Sequence, residues 1–240
     1  MIQHTGEAIV LRSWPFHEAD LLVSLFTREQ GRVKGVARHA MRSRRRFGGA
    51  LEPMTYVRAH YVEKPKQELM RLDSFEILSS PLTGAIDYYR TAGLQLVAEV
   101  IEEALPEQAA EDAVFRLALA VLEEIRVGSV ALPVTYFCLW MIRLMGWMPE
   151  LGHCSLCGLD LRGGTVFYSP TSDGVTCADD RRNGAVGLSA GAVDDARRIF
   201  RGTVKELATE SWPRVGELRR FAVAMLERHL ERRLVCARAL

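Results

Sequence analysis

The stretch Arg32-Val33-Lys34-Gly35-Val36-Ala37-Arg38-His39-Ala40-Met41-Arg42-Ser43-Arg44-Arg45-Arg46-Phe47 decides how the chain is read. Residues 32–46 carry seven Lys or Arg and no acid, in a chain whose formal net charge is only +1. The first half alternates. Val33, Gly35 and Ala37 fall on one side and Arg32, Lys34 and Arg38 on or near the other, as in a half-buried strand with cations on its wet face. The second half, residues 41–47, has no apolar period and reads as an arginine-rich loop. A phosphate backbone can lie along a strand that runs into such a loop. A charge run is also the ordinary make-up of a solvated hairpin tip, and Arg outnumbers Lys 27 to 4 in the whole chain. The surrounding fold therefore has to decide between the two readings.

Working outward, residues 6–78 read as short strands. Residues 7–12 (Glu-Ala-Ile-Val-Leu-Arg) form the first and residues 20–27 (Asp-Leu-Leu-Val-Ser-Leu-Phe-Thr) the second. The turn Glu29-Gln30-Gly31 leads into the third, which enters the basic loop. Residues 51–62 form a fourth, with Met54, Tyr56 and Tyr61 at pleat spacing. Pro65 marks a turn, and residues 68–77 form a fifth with Leu69 and Leu72 inward. Five short antiparallel strands in so few residues fit a small closed barrel, which leaves no exposed edge. The five-stranded barrel that commonly binds nucleic acid is the OB-fold, whose ligand crosses strands 2 and 3 and the adjoining loops. Trp14, Phe16, Phe47, Tyr56 and Tyr61 are aromatics available either to stack on bases or to fill the core.

Composition bounds the rest. With 240 residues and 48% hydrophobic content, the chain can bury a full core in two domains, or in one with appendages. Residues 1–80 hold 13 bases and 9 acids, whereas residues 81–240 hold 18 and 21. The basic character is local, as a binding surface requires. The opening residues Met1-Ile2-Gln3-His4-Thr5-Gly6-Glu7 lack the cationic start and apolar centre of a signal peptide. The longest charge-free run, residues 127–142, is interrupted by Gly128 and Pro133 and is too short to span a bilayer. Five cysteines, two of them in a Cys-x-x-Cys pair, point to a reducing compartment and a metal site over a disulfide framework. The expected location is cytoplasmic.

After Pro81 the period changes to that of helices. Leu94, Val97, Ala98, Ile101 and Leu105 define one helical face, with Glu99, Glu102 and Glu103 read as solvated. A second helix is expected over residues 111–127. The third, residues 134–145, is apolar nearly all round and should be the buried centre of a bundle. Ser189 is an expected N-cap for a helix ending near Phe200. The last helix is expected over residues 215–235, with Leu218, Phe221, Ala222, Met225, Leu226 and Leu230 on one face. Arg219, Arg220, Arg228, Arg232 and Arg233 form a cationic counter-face, read as solvated over the alternative of a contact to DNA or an acidic partner. No carboxylate pair is placed for acid–base chemistry.

Residues 146–187 break the helical pattern. Cys154-x-x-Cys157-Gly158 is a knuckle of the kind that presents two thiolates to zinc, and Cys177-Ala178-Asp179-Asp180 lies at the right distance to complete a tetrahedron. The candidate ligands are thus Cys154, Cys157, Cys177 and Asp180. A carboxylate in the fourth place is less usual, because zinc prefers nitrogen and sulfur donors. The alternative is a knuckle that holds its loop by packing alone. His153, next to Cys154, is poorly placed to share one ion with it. A zinc enzyme would need an open position and a base; Glu150 and His153 are the only candidates, without the spacing of a hydrolytic motif.

These residues together resemble the RecO family of bacterial DNA repair and recombination mediators. The resemblance runs through Ala8-Ile9-Val10-Leu11-Arg12, through Glu18-Ala19-Asp20-Leu21-Leu22-Val23-Ser24-Leu25-Phe26-Thr27, and through Gly31-Arg32. It continues with Arg38-His39-Ala40-Met41-Arg42-Ser43, where the family usually has Lys-Gly-Ala-Arg over the first four positions, and with Leu51-Glu52-Pro53. Further along it includes Leu144-Met145-Gly146-Trp147-Met148-Pro149-Glu150-Leu151, then Cys154-Ser155-Leu156-Cys157-Gly158. The Leu188-Ser189 helix start and the last helix also fit.

The resemblance implies an α+β protein. An N-terminal five-stranded OB-fold over residues 1–80 precedes an all-helical domain, residues 81–240, with a zinc-finger-like insertion at about residues 147–187. It implies a non-enzymatic, nucleoid-associated protein that binds single- and double-stranded DNA and anneals complementary strands. Such a protein helps load recombinase onto strands coated by single-strand-binding protein, in a RecF-type pathway. The implied partners are RecR and the C-terminal acidic tail of that coating protein, with no membrane. No Gly-x-x-x-x-Gly-Lys nucleotide loop is present. The departure at Asp180 bears on whether the family's zinc is held. The expected DNA contacts are Arg32, Lys34, Arg38, Arg42, Arg44, Arg45 and Arg46. The competing reading is a protein-interaction adaptor whose helical domain dominates.

Overall fold

The structure, a computed structural model, describes residues 1–43, 45–81 and 87–240. It divides into two compact units, Met1–Gly128 and Ser129–Leu240. The first contains strands β1 (Ile2–Pro15), β2 (Leu21–Thr27), β3 (Gly31–Ala37), β4 (Tyr56–Glu63) and β5 (Met70–Ser79), then helices α1 (Tyr88–Ala104) and α2 (Asp112–Val127). The first two helices therefore belong with the barrel, and the helical region is shared between two compact bodies.

The barrel is closed in the order β1-β2-β3-β5-β4, the OB-fold arrangement, with β1 returning to pair with β4. β1 reaches both neighbours because it is 14 residues long and shifts register between Val10 and Arg12. Its first half pairs with β4 and its second with β2. Every pairing is antiparallel except β3 with β5, which runs parallel from Gly35↔Met70 to Ala37↔Leu72. A Cβ on Gly35 would sit 2.6 Å from Leu72 Cδ2 and 2.8 Å from the Met70 carbonyl oxygen. The approach of these two strands thus requires glycine.

The alternation read in β3 is the alternation observed, with Gly31, Val33, Gly35 and Ala37 buried and Arg32, Lys34 and Val36 partly exposed. The buried side joins Ala8, Val10, Val23, Leu25, Val57, Ala59, Met70, Leu72 and Phe75 in one core. Phe47 enters the same core and meets the Phe75 ring edge-on at 5.5 Å, so the end of the basic loop is pinned to the barrel interior. α2 closes the outside of the barrel through Phe115, whose ring lies 5.4 Å from Phe26 and 6.3 Å from Tyr56.

Several expectations fail in this unit: the β3–β5 pairing is parallel where five antiparallel strands are expected, and Leu69, read as inward on the fifth strand, precedes β5 and is only half-buried. The fourth strand begins at Tyr56 and not at residue 51, because Met54 is fully buried in the left-handed region (φ 62) and breaks the extended chain. Residues 54 and 55 instead bond back to Val10 at the irregularity in β1. The glutamates of α1 are not a solvated face. Glu99 is 3% exposed, and Glu102, almost covered, pairs with Arg12 at 3.0 Å. Packing against the barrel covers more of α1 than its apolar stripe alone.

The second unit contains α3 (Ala131–Leu144), β6 (Val166–Tyr168), β7 (Val186–Leu188), α4 (Ala190–Ile199), α5 (Val204–Leu207) and α6 (Val215–His229). α3 is buried along most of its length, as its all-round apolar character requires. Ser189 caps α4 by accepting from the Ala192 amide. α5, unforeseen, is a single turn held by a capping box between Thr203 and Glu206. α6 stops at His229, short of the expected residue 235. Glu231 turns left-handed (φ 54) just beyond it, and Glu227 accepts from the Leu234 amide at 2.9 Å. The arginine counter-face is largely engaged inside the chain: Arg228 with Asp173, Arg219 with the Leu240 carbonyl, and Arg233 with Glu227. Among the described residues, no helix is long and apolar enough to cross a membrane.

Because Gly35 sits where a methyl would press on Leu72 and the Met70 backbone, Gly35→Ala is expected to destabilise the fold by about 1–3 kcal/mol. The check is a fall in urea midpoint at unchanged m-value.

Candidate nucleic-acid interface and metal centre

The basic stretch divides where β3 ends. Arg32 donates from Nε to the Leu105 carbonyl at 2.8 Å, and Lys34 Nζ lies 2.6 Å from Glu107 Oε1. The strand edge itself is bonded there, the Gln108 amide donating to the Arg32 carbonyl at 2.9 Å. Gly31 makes room for this connection, since a Cβ would fall 1.9 Å from the Ala109 carbonyl oxygen and φ is +69. The connection between α1 and α2 thus lies against the outer side of β3, and these two cations serve it. The ion pair leaves its mark on Glu107, whose carboxyl is held below the usual range chiefly by the hydrogen bond from Lys34.

Beyond β3 the arrangement changes. Arg38, Arg42 and Arg45 are exposed and make no ion pair among the described residues. Arg46 is a brace: Nη2 donates to the Arg38 carbonyl at 2.5 Å, Nε donates to Ser43 Oγ at 3.1 Å, and the guanidinium lies 5.1 Å from the Phe47 ring centroid. Its own carbonyl accepts from the Phe75 amide. Arg44 lies outside the described residues.

The loop between β1 and β2 runs beside this segment. Asp20 Oδ1 accepts from the His39 amide at 2.7 Å, and the Met41 amide donates to the Ala19 carbonyl at 3.2 Å. Trp14 and Phe16, 37% and 42% exposed, therefore stand at the same end of the barrel as the free arginines. The other three aromatics serve the fold. Phe47 and Tyr61 are buried, with Tyr61 stacked on His4, and Tyr56 packs on Phe115.

Sequence reading left Lys64, Lys66 and Arg71 in and after a turn of no assigned role. Closure of the barrel sets them opposite Arg38, where β3 and β5 meet. The OB-fold assignment was the available signal, because the loop between strands 4 and 5 adjoins the ligand path in that fold.

In the second unit, Cys154, Cys157, Cys177 and Asp180 each offer one ligand atom, and these atoms all lie within 4.8 Å of one another. Cys157 Sγ and Cys177 Sγ are 3.9 Å apart, and Asp180 Oδ2 lies 3.2 Å from Cys154 Sγ and 3.3 Å from Cys177 Sγ. The knuckle closes as zinc knuckles do, the Gly158 amide donating to the Cys154 carbonyl while Gly158 turns left-handed (φ 76). The Cys177 amide points at Cys154 Sγ at 3.4 Å. The protons report how tightly these groups are placed. Asp180 is held below the usual carboxylate range by the three thiols, Cys157 first, and its hydrogen bond pushes the Cys157 thiol up to about 12. A divalent cation would replace those protons with one central charge. The four residues could hold a metal ion. His153 is not among them; its amide and ring are turned to Glu150.

Two family models match the chain: "Recombination protein O N terminal" over residues 1–81 and "Recombination protein O C terminal" over residues 86–235. The chain is similar to proteins named "DNA repair protein RecO" from several bacteria. Identity to that of Koribacter versatilis is 50% over 232 residues, covering 96% of this chain and 95% of the relative. It is 34% to that of Anaeromyxobacter sp. (strain K), covering 97% and 93%, and 31% to that of Symbiobacterium thermophilum, covering 98% and 95%.

The lowered Glu107 pKa sets a pH signature for the contact on β3. Its contribution is complete above the unfolded carboxyl value of 4.5 and is lost as pH falls through the lower folded value. The urea midpoints of the parent and Glu107→Gln should therefore differ at pH 7 and converge as the pH falls below the ordinary carboxyl value, toward the lowered folded one. A gap that persists at low pH would remove the ion pair from the account.

Proposed function

The chain belongs to the RecO family of DNA repair proteins, and on that premise we propose that it is a DNA-binding recombination mediator that anneals complementary strands and helps load recombinase onto strands coated by single-strand-binding protein. The observation that carries the reading is the set of guanidinium groups on Arg38, Arg42 and Arg45, without an ion pair among the described residues, on a loop bonded to the β1–β2 loop and so at the same end of a closed OB barrel as the exposed rings of Trp14 and Phe16. Cations neutralise successive phosphates and rings stack on unpaired bases, the two demands of single-strand binding without sequence preference. Catalysis has no part in this reading. Strand exchange between partners needs positioning and charge, and no phosphate-cradling glycine loop occurs in the sequence.

The partners in this proposal are DNA, RecR and the acidic tail of the coating protein. A cleft of about 380 Å³ in the second unit is lined in part by Arg143, Met148, Leu151 and Phe200, with Arg197, paired to Asp194, and the acid Glu150 also on its wall; Arg143 over the apolar side chains is the feature that suits an acidic peptide. The metal ion in this proposal is one structural Zn, held by Cys154, Cys157, Cys177 and Asp180; with all four positions filled by protein it would brace the knuckle and have no open site for chemistry.

Each single-strand phosphate contact contributes a slope of about −0.7 in log affinity against log salt. Arg42→Ala with Arg45→Ala should flatten the slope on oligo-dT by about 1.4, these two side chains being exposed and without an ion pair among the described residues. An unchanged slope removes the loop from the interface. Binding of partners by a parent that shows no DNA affinity would favour the adaptor reading. For the metal, zinc analysis should return one ion per chain, and a chelator should lower the parent's Tm while leaving Cys154→Ser/Cys177→Ser unaffected. A parent indifferent to chelation would mean that packing alone holds the knuckle.

A further inference from the structure

The turn between β4 and β5 contains a lysine in a conformation that lysine disfavours. In Lys64-Pro65-Lys66-Gln67 the Gln67 amide donates to the Lys64 carbonyl at 3.2 Å, and Lys66 sits in the left-handed region with φ 66. Proline second and a left-handed residue third make a type II turn, whose third position favours glycine. Lysine there carries backbone strain that the fold does not need, and such outliers gather at functional positions.

Lys66 lines a cleft of about 470 Å³ where β3 meets β5. The lining carries Arg38, Lys64, Lys66 and Arg71 with one acid, Glu68, and its apolar side chains are Val36 and Leu69, both half-buried, while Met70 beneath them belongs to the barrel core. Arg71 is tied to Asp73 at 2.8 Å, but Arg38, Lys64 and Lys66 make no ion pair among the described residues. A volume of this size lies in the range that holds one small ligand, about 300–1,000 Å³. Unpaired cations around an apolar floor match a nucleotide, whose charge is on its edge and whose face is apolar.

The geometry points to a single-nucleotide subsite: the cleft takes one unstacked nucleotide of a single DNA strand, its base on the half-buried side chains of Leu69 and Val36 and its flanking phosphates on Lys64 and Lys66. Arg38 belongs both to this cleft and to the arginine loop, so the subsite continues the surface of the proposed function and rests on that reading. A duplex cannot fill it without giving up a base pair. The subsite therefore favours strands already open.

The test uses the full chain with oligo-dT and an equally long abasic oligonucleotide. Lys66→Gly relieves the turn, so its Tm should equal or exceed the parent's while its affinity for oligo-dT falls. Lys64→Ala/Lys66→Gly should flatten the salt slope by about 1.4, the loss of two phosphate contacts. The parent should bind oligo-dT more tightly than the abasic strand, and Leu69→Ser should lose most of that preference. A slope unchanged in the double variant, or a parent equally tight on both strands, overturns the subsite and leaves the arginine loop standing. A parent with no salt-dependent binding to either strand overturns the proposed function itself.

Discussion

The parallel pairing of β3 with β5 is the constraint on which the rest of the first unit depends. It closes the barrel, and it can form only because Gly35 offers no Cβ to Leu72 and the Met70 backbone. Because only the last residues of β3, from Gly35 to Ala37, pair with the first of β5, from Met70 to Leu72, the chain leaving β3 passes close to the chain entering β5. The arginine loop and the Lys64–Gln67 turn, separated in the chain by the whole of β4, thereby become neighbours around a cleft. Phe47 returns the loop to the interior against Phe75, and Arg46 ties the loop to its own start. The exposed cations are therefore mounted on a short segment fixed at both ends, which limits the entropy lost when a ligand orders them.

The second unit solves a different problem with similar economy. Residues 146–187 have little regular structure, only the short β6–β7 pair among the described strands, and so few backbone bonds to hold them. Four side chains from two turns converge instead, and a cation among them would supply the cross-link that a core of this size cannot. Asp180 in place of a fourth thiolate makes the donor set harder and less tightly binding than an all-sulfur one, without disturbing the convergence of the loops.

How much could be read in the sequence depends on the range of each interaction. Alternation in residues 31–37 gave β3 because the period is a property of adjacent residues, and Cys154-x-x-Cys157 gave the knuckle because ligand spacing is local. The Ser189 cap was legible for the same reason. The start of β4 was not, since the left-handed turn at Met54 depends on contacts with β1 that the sequence does not display. Glu99 read as solvated because helical periodicity identifies an apolar stripe and says nothing about how much more the neighbours cover. The attachment of α1 and α2 to the barrel, and the meeting of Lys64 and Lys66 with Arg38, are non-local and became visible only with closure.

Charge shows why that closure matters for a ligand. Residues 81–128 hold nine acids against three bases, the reverse of the barrel they adjoin. Their acids pair with barrel cations one by one: Glu102 with Arg12, Asp112 with Arg28, Glu107 with Lys34. Each pair has at least one well-exposed partner and adds little to stability, but together they cancel the positive field on the helix-covered side. Arg38, Arg42, Arg45, Lys64 and Lys66, which make no ion pair among the described residues, all lie at the loop end. The first unit can thus carry a directional positive field at the loop end of the barrel, of the kind that orients a polyanion before contact. Under the proposed function, the acids of the α1–α2 hairpin would narrow where a polyanion binds, since any phosphate that approached β3 from their side would meet carboxylates first.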